Sequence, residues 1–114
     1  MKKNKNINLI IDGIREKKGQ DIVLINLIEI INSPCSFFVI CTAGSKTQIN
    51  SIAQNIKKNL IEKVSVKIWR EEGRDSNWRL LDYGDIIIHI FKQELRLFYQ
   101  IEELWGDGKI KKYK

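Results

Sequence analysis

Two short runs, Asp21–Leu27 and Ser36–Thr42, are apolar on both faces, with Asn26 the main exception. Such runs read as strands buried on both sides rather than strands with one wet face. Their neighbours carry the helical period. Ile7, Ile10, Ile11 and Ile14 form one stripe, which predicts a helix over residues 6–18 with Gly19 at its C′ position. Asn32-Ser33-Pro34 is turn chemistry between the two strands. Ser45 and Gln48 form a capping box. It opens a helix with the stripe Ile49, Ile52, Ala53, Ile56 and Leu60, ending at about Lys63. Val64, Val66 and Ile68 then alternate with Ser65, Lys67 and Trp69, the pattern of a half-buried strand. Strand, helix and strand of these lengths read as a βαβ unit with parallel strands.

Glu71–Asn77 reads as a charged loop. Trp78–Asp82 and Asp85–Phe91 are expected to form a hairpin around Tyr83-Gly84. In its second strand Ile86, Ile88 and Ile90 point one way, and Asp85, Ile87, His89 and Phe91 the other. Gln93–Trp105 returns to the helical period, and Gly106 and Gly108 stop it. The expected architecture is a single α/β domain with a mixed five-stranded sheet flanked by helices.

The 114 residues suffice for one domain with one core. At 43% hydrophobic and 30% charged, the composition is that of a folded globular chain. The longest apolar run is about half of the ~20 residues a membrane span needs. The basic start, Met1–Asn6, is followed by Asn8, Asp12, Arg15 and Glu16, which break any signal-peptide pattern and point to the cytoplasm or an organelle matrix. The net charge is +6, which suggests a polyanionic partner until the charges are located. Seven of the 20 basic residues lie at the ends (Lys2, Lys3, Lys5, Lys109, Lys111, Lys112 and Lys114). The remaining 13 face all 14 acids within residues 6–108. The ends, 1–5 and 109–114, are therefore expected to be basic tails giving only weak, salt-sensitive and non-specific contact with RNA. From Asp82 to Asp107 six acids stand against Lys92 and Arg96, among Tyr83, Phe91, Phe98, Tyr99 and Trp105, with Trp78 just upstream. Aromatics in an acidic field suit a basic protein partner. Phe91 and Phe98 are assigned to the core. Trp78 and Tyr83, taken to flank the hairpin tip, are assigned to an interface.

Catalytic chemistry is hard to find. Cys35 and Cys41 have no metal-ligand spacing and read as buried thiols. His89 reads as a satisfied core histidine, since its nearest same-face polar neighbour, Asp85, lies roughly 13 Å along the strand. Gly44-Ser45, after a buried strand and before a helix, could hold a phosphate on backbone N–H groups, similar to the start of the nucleotidyltransferase fold. Those enzymes also need a carboxylate pair on the next strand to hold metal ions. Val64–Arg70 contains none, so Gly44-Ser45 is read as a turn and a helix cap. No catalytic residue, metal site or cofactor is expected.

The motifs Thr42-Ala43-Gly44-Ser45-x-x-Gln48, Glu72-Gly73, Trp78-x-Leu80-Leu81-Asp82-Tyr83-Gly84-Asp85-Ile86-Ile87-Ile88-His89-Ile90-Phe91 and Arg96-x-Phe98-Tyr99-x-Ile101-Glu102-x-Leu104-Trp105 resemble the ribosomal silencing factor RsfS family, also called Iojap, over about residues 7–107. The resemblance implies a nucleotidyltransferase-like fold without the catalytic carboxylates, and no enzymatic activity. It implies binding to the large ribosomal subunit through ribosomal protein L-fourteen, a steric block to joining of the small subunit, and lowered translation when nutrients are short. A part in large-subunit assembly and a homodimer in the free state are implied as well. Carried over residue by residue, Trp78 and Tyr83 match positions that contact the ribosomal protein. Asp82, Asp85, Arg96, Tyr99 and Glu102 are neighbouring candidates. Ser36 departs from the usual Asp and Ile101 from the usual Leu, both away from that contact.

Overall fold

A computed structural model describes residues 2–99 and 108–113, with side chains from 5 to 96 and from 108 to 113. The elements are α1 (Lys2–Glu16), β1 (Gln20–Asn26), β2 (Phe37–Ala43), α2 (Lys46–Val64), β3 (Arg70–Glu72), β4 (Trp78–Asp82), β5 (Ile86–Lys92), α3 (Gln93–Tyr99) and β6 (Lys109–Tyr113). They form one mixed sheet in the order β3-β4-β5-β2-β1-β6. The α/β class is as expected. The sheet, however, has six strands rather than five.

The sixth strand is the predicted C-terminal tail. Lys109–Tyr113 pairs antiparallel with β1, Lys109 opposite Asn26 and Tyr113 opposite Ile22. The N-terminal lysines likewise belong to α1. Lysines along an outer strand discourage edge-to-edge pairing, so a charge run that reads as a solvated tail is equally the signature of a protected edge.

Three other expectations are corrected. Val64–Trp69 is not a strand. Ser65 turns left-handed (φ 57°) at the end of α2, its N–H reaches Ile61 O at 3.1 Å, and Val66 N–H reaches Leu60 O at 2.9 Å, closing a Schellman-type cap. Val64, Val66 and Ile68 still turn towards the core, which produces alternation without a ladder. The strand runs from Arg70 into the predicted charged loop, at Arg70–Glu72, and pairs with β4. The parallel neighbour of β2 is therefore β5, Phe37 opposite Ile86 through Ala43 opposite Lys92. Finally, Asp82 pairs with Ile87 and Tyr83 N–H with Ile86 O at 2.9 Å. The two-residue tip is Gly84-Asp85, with φ +88° at the glycine, as a hairpin turn with glycine first requires.

Gly19 ends α1 differently from expectation. Lys18 takes the left-handed position (φ 63°), and Gly19 N–H bonds Ile14 O at 2.9 Å. The glycine is needed for space: a Cβ there would stand 2.4 Å from Ile14 Cγ2. Helix α2 starts as read. Ser45 Oγ accepts the Gln48 N–H at 3.1 Å. The reciprocal bond is shifted by one residue, because Gln48 Oε1 accepts from Gly44 N–H at 2.7 Å. Gln48 Nε2 also donates to Lys17 O and Lys18 O, which ties the start of α2 to the end of α1.

The sheet divides the core. On one face Val39, Cys41, Leu81, Ile86, Ile88 and Ile90 pack with Ile10, Ile14, Ile52 and Ile56 of the helices. On the other, Val23, Ile25, Phe38, Ile40 and Phe91 form a second cluster, with Trp78, Ile87 and Leu95 of α3 against it. Both faces of β2 are buried along its whole length, as its sequence requires.

Candidate functional site

The second face carries the chemistry. His89, 5% exposed, lies edge-on to Phe38 with ring centres 4.8 Å apart and parallel to Phe91 at 6.1 Å. Trp78 stacks on Phe91 at 4.9 Å and donates its indole Nε1–H to His89 Nδ1 at 3.2 Å. The backbone of Trp78 is set by the preceding turn: Ser76 Oγ accepts its N–H at 3.2 Å. The glycine of that turn, Gly73, has φ +84°, and a Cβ on it would stand 2.0 Å from Trp78 O.

His89 is therefore buried, as expected, but only half satisfied. With Nδ1 accepting, the neutral ring carries its proton on Nε2. That atom is buried without a hydrogen-bond partner among the described residues, at a cost of about 1–3 kcal/mol. Burial pushes the imidazole down to about 4, so the ring is neutral around pH 7. Sequence reasoning missed the Trp78–His89 bond because it looked along one strand. The signal lay in the hairpin register. With the tip at Gly84-Asp85, Trp78 stands opposite Phe91, diagonally beside His89.

The expected interface residues are dispersed. Trp78 is half-buried at the start of β4, at the far end of the hairpin from its tip. Tyr83 stands beside the tip on the opposite face, against the helix-side core. Its hydroxyl is buried without a partner, and burial first, then Glu71, drives its pKa up. Asp82 is buried. It accepts from Gly84 N–H at 2.8 Å and from Arg70 Nη2 at 3.4 Å. Asp85 is half-buried at the tip, where its carbonyl accepts from Ser36 N–H and Phe37 N–H. Arg96 reaches Asp21 O at 2.7 Å, at the opposite end of the strands. The side chain of Tyr99 and all of Glu102 lie outside the described residues, as does the predicted helix beyond Tyr99. Trp78 stands about 13 Å from Asp82 along β4 at 3.3 Å per residue, and Arg96 lies beyond the end of β5 that is farther from Tyr83 and Asp85.

A phosphate site at Gly44-Ser45 finds its backbone donors already used. The hollow there, about 240 Å³ and lined by Lys18, Gln20, Thr42, Gly44, Gln48 and Gln93, faces N–H groups of Gly44 and Gln48 already bonded within the cap. The strand that follows α2 does contain acids, since it is Arg70-Glu71-Glu72. Adjacent residues alternate across a sheet, however, so the two carboxylates do not share a face. Glu71 is held beneath α2 by Lys57 Nζ at 2.7 Å and by the buried Arg79 Nη1 at 2.5 Å. Arg79 Nη2 also donates to Asn50 Oδ1 at 3.1 Å. Burial raises the Glu71 pKa, and the bonds from Lys57 and Arg79 outweigh it, so the net shift is downward. Among the described residues no group of three His, Cys, Asp or Glu could hold a metal ion.

Both cysteines are free. Cys41 is buried and Cys35 only partly so. Burial raises the two thiols to about 12 and about 11, which keeps both protonated. Among the described residues no helix is long and apolar enough to cross a membrane.

The architecture recurs in solved structures. One from Chromobacterium violaceum superposes with a TM-score of 0.83 at 29% identity, covering 90% of this chain and 85% of that one. One from Bacillus halodurans gives 0.78 at 32% identity, covering 90% and 94%. The ribosomal silencing factor RsfS of Halalkalibacterium halodurans is 33% identical over 103 residues, 90% of this chain and 86% of its own length. The family model described as ribosomal silencing factor during starvation matches residues 1–114. The chain belongs to the ribosomal silencing factor family.

Proposed function

We propose that this protein is a non-enzymatic repressor of translation. It docks on the large ribosomal subunit through ribosomal protein L-fourteen and occupies the volume that the small subunit must enter. No bond is made or broken, and the working compartment is the cytoplasm. Trp78 is the observation that carries the reading. A half-buried tryptophan, stacked on one side and hydrogen-bonded at its nitrogen, is a pre-organised contact of the kind that dominates protein interfaces. Asp85 at the hairpin tip, with Tyr83 beside it, supplies acidic steering towards a basic protein, and the buried Asp82 serves the contact by holding the tip through the Gly84 N–H. Arg96 is a further candidate for the contact, as are Tyr99 and Glu102 by their place in the sequence motif. A non-catalytic role is supported by the cap that already uses the Gly44 N–H and by the opposed faces of Glu71 and Glu72.

Lys109, Lys111 and Lys112, aligned on an outer strand, add non-specific attraction to ribosomal RNA. The free chain pairs with a second copy, and the ribosome competes for it. Co-sedimentation with purified large subunits tests the reading. Trp78→Ala should weaken association by about 30-fold, equivalent to about 2 kcal/mol, with Tyr83→Ala falling short of that because half of its ring is already committed to the core. Undiminished co-sedimentation of Trp78→Ala would refute the proposal.

A further inference from the structure

We propose that His89 is a positioning residue, whose Nδ1 fixes the Trp78 indole in the one orientation that meets the partner. The inference rests on Trp78 being the contact. His89 sits among Phe38, Phe91 and Trp78, where a leucine or phenylalanine would leave no orphaned donor. It carries instead an Nε2–H buried without an acceptor. What the imidazole supplies in return is the acceptor at Nδ1, and that acceptor takes Trp78 Nε1–H at 3.2 Å.

Stacking and hydrogen bond do different jobs. The Phe91 ring, 4.9 Å away and inclined by 29°, fixes the plane of the indole. A stacked indole can still turn over about its Cβ–Cγ bond and keep much of its area of contact. The bond to Nδ1 removes this freedom, since only one rotation points Nε1 at His89. An aromatic anchor fixed before binding loses less rotamer freedom on association. Neutral His89 keeps its acceptor around pH 7, because burial holds the imidazole down.

The experiment combines two readouts on the full chain: solvent exchange of the Trp78 indole proton by NMR, and co-sedimentation with large subunits. His89→Leu should speed that exchange at least tenfold and weaken binding about tenfold, with the melting temperature within about 5 degrees of wild type. His89→Asn, whose Oδ1 can stand near the position of Nδ1, should recover most of both. In a Trp78→Phe background, His89→Leu should cause no further loss of binding. Unchanged exchange in His89→Leu overturns the positioning role, as does wild-type binding or an equal loss in the Trp78→Phe background. If His89→Leu does not fold, Trp78→Phe alone decides. It deletes the donor and keeps a stacking ring, and undiminished binding overturns the inference. Failure of the wild-type chain to bind large subunits removes the functional reading alone, whereas unchanged exchange in His89→Leu removes the positioning role whether or not the chain binds.

Discussion

The two faces of the sheet are built to different specifications, although the same strands supply both. Beneath α1 and α2, β5 presents Ile86, Ile88 and Ile90, all at most 2% exposed, and the rest of that face is almost wholly aliphatic. The charged group it buries lies at the β3 side, where Glu71 has three cationic partners, Lys57, Arg79 and the exposed Arg74. On the other face β5 presents His89 and Phe91 to Phe38 and Trp78, and a buried N–H goes unpaired. Among the described residues both faces leave a buried polar group unpaired, the Tyr83 hydroxyl and Arg79 Nε beneath the helices and His89 Nε2 on the other side. Only the second face sets its orphaned group in a ring whose other nitrogen holds a half-buried tryptophan. The comparison also shows why candidate residues adjacent in sequence need not act together: Asp82 and Tyr83 point to opposite sides of the sheet.

The largest test of this contrast is Glu71→Ala. It strands Arg79, whose side chain is 4% exposed, and should cost about 3–5 kcal/mol of folding stability in urea unfolding. Binding to large subunits by the molecules that remain folded should be untouched. A parallel loss of affinity would break the division of labour between the faces.

The second test is acid stability. Unfolded His89 takes up its proton near pH 6.5, whereas folded His89 resists until about 4. Stability is therefore complete above pH 6.5 and falls as pH drops towards 4, by up to roughly 3 kcal/mol. The lowered Glu71 pKa acts in the same direction: its contribution is present above the unfolded carboxylate value and is lost as pH falls through the folded one. Its window lies lower. His89→Leu should thus flatten the upper part of the acid limb, between about pH 6.5 and 5, and leave the lower part. A wild-type slope in that variant would show that the second face does not carry the histidine cost.

The smallest effect concerns the β6 edge. Lys112→Glu changes an exposed side chain on the second face and should move stability by no more than about 0.5 kcal/mol. It should lower affinity for large subunits at low salt, with the difference vanishing as salt rises. Truncating residues 109–114 is a different experiment, because it strips β1 of its outer neighbour. A stability loss well above that of the point variant would confirm that β6 is structural as well as basic.

Much of the fold was legible in particular residues. The Ile7–Ile14 stripe, the Ser45–Gln48 cap, the doubly apolar β2 and the alternation of β5 each obey a local rule, and each element formed where its rule placed it. The errors fell where a local pattern has two causes. Val64, Val66 and Ile68 alternate because a capped helix end turns into the core, not because they pair. Lys109–Tyr113 reads as a tail because edge strands and tails are lysine-rich for similar reasons. The candidate site was legible as a set of residue types but not as a surface, since burial of the Tyr83 hydroxyl and of Asp82 depends on what α2 and the hairpin tip place against them.

The sequence by itself determined the α/β class, the two buried strands and the helix caps, because periodicity and capping act within a few residues, and its motifs carried the resemblance to the family. The charge imbalance between ends and body was equally plain. Only the tertiary structure decided that β2 lies beside β5, that the C-terminal lysines close the sheet, and that His89 meets Trp78. Each of these joins residues distant in the chain, and strand register, which no local preference encodes, brings them together.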